Sequence, residues 1–117
     1  MSGSSMMIWT AWNNGRHHAS GAGYGFRINA DDRDQHFDRR WRTVSVELPT
    51  SMGPVTVEAN TAKRSFWEGA CRELINREIG QWLRESGYAP WRGNRPPTFR
   101  VEGLGRGRFR VAARVDR

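Results

Sequence analysis

The apolar positions of the chain fall into two periods. Residues 7–12, "MIWTAW", are aromatic and β-branched enough for a first strand. Residues 24–30, "YGFRINA", alternate: Tyr24, Phe26 and Ile28 share one face, and Arg27 and Asn29 take the other. Residues 41–49 alternate again, with Val44, Val46 and Leu48 opposed to Thr43, Ser45 and Glu47. "TSMG" predicts a turn, and residues 54–60 then place Val55, Val57 and Ala59 inward, so these two segments predict a hairpin. A last hairpin follows over residues 98–114, with Phe99, Val101, Phe109 and Val111 inward and "GLGRG" as its turn.

Between the hairpins the period changes from 2 to 3.6. "SFWEGACRELINREIGQWLRESG" carries Phe66, Trp67, Ala70, Cys71, Leu74, Ile75, Ile79, Trp82 and Leu83 on one stripe, which predicts a single long amphipathic helix. Ser65 and Glu68 have capping-box spacing, and Gly87 suits a left-handed residue at the helix end. The expected fold class is α+β: a mainly antiparallel sheet of about six strands in the order β-β-β-β-α-β-β, with the long helix packed on one face. One domain over residues 8–117 is expected behind a disordered tail, residues 1–7. The opening "MSGSSMM" reads as a frayed end, because it has neither a basic nor an apolar region of the signal-peptide kind.

Composition narrows the picture in three ways. The six tryptophans and five phenylalanines offset a modest apolar fraction of 37 %. A single cysteine, Cys71, forms no internal bridge and suits a reducing cytosol, so a cytoplasmic protein is expected; within the stripe it reads as a small buried hydrophobe. No apolar run reaches the roughly 20 residues of a membrane helix, so no membrane partner is expected. The net charge is +7, which points to an anionic partner, nucleic acid or an acidic protein. Of the 19 basic residues only Lys63 is a lysine, and arginine is the better phosphate binder because its planar fork donates two parallel hydrogen bonds.

Residues 12–25, "WNNGRHHASGAGYG", lie between the first two strands. Their glycines run into a strand rather than a helix, so the spacing fits neither a P-loop nor a dinucleotide fingerprint. A long polar loop at the sheet rim is expected, and loops on rigid scaffolds are where ligands bind. Trp12, Asn13, Asn14, His17, His18 and Tyr24 are therefore candidate binding residues, with Arg27 on the adjoining strand. Aromatic residues interleaved with arginines recur at Arg39, Arg40, Trp41 and Arg42, and again at Trp91, Arg92 and Arg95. That pattern suits single-stranded nucleic acid, whose bases stack on aromatic rings while arginines hold its phosphates. "DDRDQHFDRR", residues 31–40, reads as a charged surface turn in which Asp31 or Asp32 caps a short helix. No catalytic triad, metal motif or cofactor fingerprint is visible, so neither catalytic residues nor cofactors are assigned.

The segments "SGAGYGFRI", "DRDQHF", "WRTVSVEL", "SFWEGACRELINREIGQWLRESGYAPW" and "GNRPPTF", in that order, resemble a family of small bacterial proteins of unassigned function, of the kind carried on mobile integron gene cassettes. The resemblance spans residues 12–111. It implies a shared fold and an accessory, adaptive role, and it implies no activity. The expected function is a small non-catalytic binding module, a homodimer on the frequency of two-fold assemblies, engaging its partner through loop aromatics and arginines. Two alternatives stand beside it: a metal-independent nuclease or hydrolase using His17, His18 or His36, and a structural subunit that neutralises an acidic protein.

Overall fold

The computed structural model describes residues 5–69 and 72–115. Seven strands and three short helices follow in the order β1 (Ser5–Asn13), β2 (Tyr24–Arg27), α1 (Ala30–His36), β3 (Thr43–Leu48), β4 (Val55–Asn60), α2 (Arg64–Glu68), β5 (Glu73–Ile75), α3 (Arg77–Glu85), β6 (Thr98–Gly105) and β7 (Arg108–Arg114). The class is α+β, and the sheet runs β4-β3-β7-β6-β1-β2-β5. Every pairing is antiparallel except β3 with β7. That parallel pair joins the two hairpins, since β7 returns to β3 only after the helical segment has crossed the sheet. On the outer surface Arg110 ties the junction, reaching Glu47 of β3 at 2.9 Å and Glu102 of β6 at 3.4 Å.

The alternating strands behave as their pattern requires. Trp9, Phe26, Val44, Val46, Phe99, Val101, Phe109 and Val111 are buried on the concave side. Val55 is a correction: it lies at the start of β4 and is 45 % exposed. β1 begins at Ser5, ahead of the domain start expected at residue 8, and residues 1–4 of the expected tail lie outside the described residues. The short charged helix α1 is capped by Asn29, whose side chain accepts from the Asp32 amide at 2.8 Å; the expected caps Asp31 and Asp32 instead occupy its first turn.

The long helix is the larger correction, and with it the six-strand count. α2 stops at Gly69, residues 73–75 become strand β5, and Asn76 starts α3 afresh by accepting from the Glu78 amide at 2.6 Å. The expected Ser65–Glu68 capping box is not formed: α2 starts from Lys63, and no side chain caps it. The physical reason is an unpaired strand edge. β2 would otherwise leave its backbone groups open, and β5 supplies their partners, with Phe26 opposite Leu74 and Arg27 opposite Glu73. Leu74, which fits a helical stripe, fits the inward side of a strand equally well. The Asn76 side-chain amide then donates to the Glu58 carbonyl of β4, which draws the two edge strands together and leaves the sheet nearly barrel-shaped. Cys71 and Ala70, expected on the stripe, lie outside the described residues.

The core is aromatic. Trp9 sits 5.5 Å from Phe26 and 5.3 Å from Phe109, and Phe109 stacks on Phe37 at 4.7 Å. Ile79, Trp82 and Leu83 of α3 plug one end of the barrel, where the Trp82 indole donates to the Pro49 carbonyl at 2.6 Å. Phe37 and Phe66, both buried, lie 5.5 Å apart.

Candidate functional site

The loop between β1 and β2 is built by its own polar side chains. The Asn13 amide donates to the Arg16 and Gly23 carbonyls at 2.9 and 3.2 Å, and its oxygen accepts from the Gly15 amide at 2.9 Å. Asn14 accepts from the Arg16 amide at 3.0 Å. The two asparagines thus hold the turn. Gln81 of α3 donates to the Ser20 carbonyl at 3.2 Å and fastens the far side of the loop to the helix.

His17 and Tyr24, seven residues apart, meet Arg84 of α3 from a distant part of the chain. The His17 Nδ1 lies 2.6 Å from the Tyr24 hydroxyl, and the Arg84 guanidinium of α3 donates to the same hydroxyl at 3.3 Å. Arg84 can only donate, so the hydroxyl oxygen accepts from it, and the direction of the contact with Nδ1 follows the His17 tautomer. The tautomer that gives the buried Tyr24 O–H an acceptor has Nδ1 unprotonated and the proton of neutral His17 on Nε2. Burial and, after it, the neighbouring Arg84 charge hold the His17 pKa below its usual value of 6.5, which favours this neutral form. The Trp91 ring closes the cluster edge-on, 4.9 Å from His17 and 5.8 Å from Tyr24. It follows the cis Ala89–Pro90 bond.

A groove of about 570 Å³ opens beside this cluster, within the range of small-ligand sites. Trp12, Asn13, His17, Arg27 and Trp91, all expected from the sequence, line it together with Asn94 and Thr10. Arg27 is held in place by Glu73, which receives Nε at 2.9 Å and Nη2 at 2.8 Å; Glu73 is 2 % exposed, whereas the arginine side chain is half-exposed. Its charge is therefore largely matched, and the ion pair fixes the direction of its remaining N–H groups. Arg16, Arg92 and Arg95 interleave with the lining residues, are exposed, and have no acid partner among the described residues.

The other expected residues divide. Tyr24 is fully buried, so it orients His17 and meets no ligand itself. Asn14 and His18 lie outside the groove lining, Asn14 occupied by the turn and His18 exposed. Arg39 and Trp41 line a separate groove of about 580 Å³ between α1 and α2, which shares no lining residue with the first. Arg40 is clamped on Asp38, at 2.7 Å for the shorter contact, and these hydrogen bonds lower the Asp38 pKa to about 2. Arg42 is exposed, and its carbonyl accepts from the Thr61 amide. Trp67, Arg84 and Glu73 were missed because their sequence neighbourhood resembles an amphipathic helix; their partners lie far away in the chain.

Among the described residues no group of three His, Cys, Asp or Glu side chains is placed to hold a metal ion. No helix among them is long and apolar enough to cross a membrane. No protein-family model, curated protein or solved structure matches the chain, so the functional argument rests on the site itself.

Proposed function

We propose that the protein is a small binding module whose ligand is single-stranded nucleic acid, taken into the groove between Trp12 and Trp91. The observation that supports this is the convergence of those two tryptophans, from opposite ends of the chain, on one groove with Asn13, His17 and Arg27. Aromatic rings accept the face of any base, while the amide, imidazole N–H and guanidinium groups are hydrogen-bonding partners for base edges. The groove interior has little net charge because Glu73 matches Arg27. The uncompensated arginines Arg16, Arg92 and Arg95 lie around it. That division suits a base inside and phosphates outside.

The module acts without catalysis. A nuclease would need an unprotonated ring nitrogen toward its substrate; in the His17 tautomer that gives the buried Tyr24 O–H an acceptor, Nδ1 is taken up by that hydroxyl and Nε2 is a donor. In this reading the chain is an accessory protein of a mobile cassette in the bacterial cytoplasm. It pairs as a homodimer through the outer face of β1, where Met6 and Ile8 are 48 % and 44 % exposed.

The test is a fluorescence titration of the purified protein with single-stranded RNA, single-stranded DNA and duplex DNA across a salt series. Micromolar or tighter binding of single strands is expected, with tryptophan quenching and a steep loss at higher salt. Trp91→Ala and Trp12→Ala each weaken it about tenfold or more, from the loss of a stacking platform. Absence of binding at low salt, or binding that neither variant changes, overturns the proposal.

A further inference from the structure

We infer that the protein carries a second nucleotide-binding station, centred on Trp41 and sharing no lining residue with the first groove; the inference rests on the nucleic-acid reading above. Trp41 walls two hollows at once. On one side is the groove of about 580 Å³ between α1 and α2, where the Arg39 guanidinium lies over the Trp67 ring, 5.1 Å from its centre. On the other is a hollow of about 170 Å³ floored by Gly103, Gly105 and Gly107, with Arg108 at its edge. The backbone comes close to the indole here: a Cβ on Gly107 would stand in van der Waals contact with the Trp41 ring, 3.5 Å away, while one on Gly105 would meet nothing within 4 Å.

Charge singles out the same spot. The acids lining the larger groove are already paired, Asp34 with Arg33 at 3.1 Å and Asp38 with Arg40 at 2.7 Å. Arg39 and Arg108, one on each side of Trp41, are exposed and have no acid partner among the described residues. A half-buried tryptophan between two uncompensated guanidinium groups has the elements of a base-and-phosphate site: an aromatic face for one nucleotide and a cation on either side for the flanking phosphodiesters. The station also explains why the sequence shows two separate aromatic–arginine clusters. They are not one continuous surface, because their grooves share no lining residue.

Binding stoichiometry of a thymidine tetranucleotide, measured by calorimetry at low salt, tests this with the exposed substitutions Arg39→Gln and Arg108→Gln and, separately, with Trp91→Ala. Wild type should take up two tetranucleotides per chain. Arg39→Gln with Arg108→Gln should take up one, and Trp91→Ala should retain the Trp41 station. A strand of about 15 nucleotides, long enough to reach both stations, should bind wild type at least tenfold tighter than the tetranucleotide, an advantage that either variant removes. One tetranucleotide per chain in wild type, unchanged in Arg39→Gln/Arg108→Gln and lost in Trp91→Ala, overturns the second station and leaves the first groove standing. Binding lost in Arg39→Gln/Arg108→Gln but unchanged in Trp91→Ala upholds the Trp41 station and overturns the first groove. No binding by wild type overturns both.

Discussion

Gly21 and Gly80 are pressed backbone to backbone. A Cβ built on Gly80 would lie 2.1 Å from the Gly21 carbonyl oxygen, and one on Gly21 would lie 2.5 Å from the Arg77 carbonyl oxygen. Gly21 also has φ +91°, a region side chains rarely adopt. This contact seats the β1–β2 loop on α3 and sets the height of His17 above Arg84. In an exposed helix, glycine to alanine adds about 0.5–1 kcal/mol of stability. Here the sign is expected to reverse: Gly80→Ala should cost about 2–3 kcal/mol, because rigid backbone must move to admit the methyl group. Urea denaturation of the two proteins decides the sign, and a gain would mean that the loop is not seated on the helix.

The Arg27–Glu73 pair places a nearly fully buried carboxylate on the outer side of the sheet. Removing the arginine takes away the ion pair that this carboxylate makes at 2.8 Å. Arg27→Met should destabilise by about 1–3 kcal/mol, the lower part of the range for broken buried pairs because Arg27 itself is half-exposed. Arg27→Met with Glu73→Leu should recover part of the loss, since no buried carboxylate is then left without its arginine. Equal stability of the single and double variants would show that the pair does not act as a unit.

His17 should make stability depend on pH. Its folded-state pKa is depressed, by burial first and Arg84 second, so the folded protein resists a proton that the unfolded chain accepts near 6.5. The contribution is complete above that pH and declines as pH falls below it toward the depressed folded value. Melting temperature followed from pH 8 to pH 5 should therefore drop less in His17→Gln than in wild type. Parallel curves would assign the acid sensitivity to other groups.

Arg106 sits at φ +58° in the turn between β6 and β7, followed by Gly107 at +75°. Two successive positive φ values are what a two-residue hairpin turn demands, and asparagine tolerates the first position better than arginine. Arg106→Asn should add about 0.5–1 kcal/mol, visible as a higher denaturant midpoint with an unchanged slope. A lower midpoint would show that the arginine side chain has a stabilising contact of its own.

The local pattern determined most of the strands. Alternation over Val44–Leu48, Phe99–Val101 and Phe109–Val111 told which side would be buried, because a strand's two faces follow directly from residue parity. It also named Trp12, His17, Arg27 and Trp91, since aromatic, amide and basic groups with no place in a core must go somewhere on the surface. What it could not decide was pairing at a distance. Residues 65–86 carry a helical stripe of apolar residues, yet the open edge of β2 claims Glu73–Ile75 as a strand, with Gly69 before it and Asn76 after it as the local breaks that allow this. The same distance dependence governs the site. Nothing local couples Glu73 to Arg27, Arg84 to Tyr24 or Trp91 to His17; those contacts exist because sheet closure and the Gly21–Gly80 approach bring the segments together. Only the tertiary structure could therefore join Trp91 to the loop's groove and leave Trp41 in another, and make Tyr24 and Asn14, candidate ligand contacts in the sequence, supports of the loop.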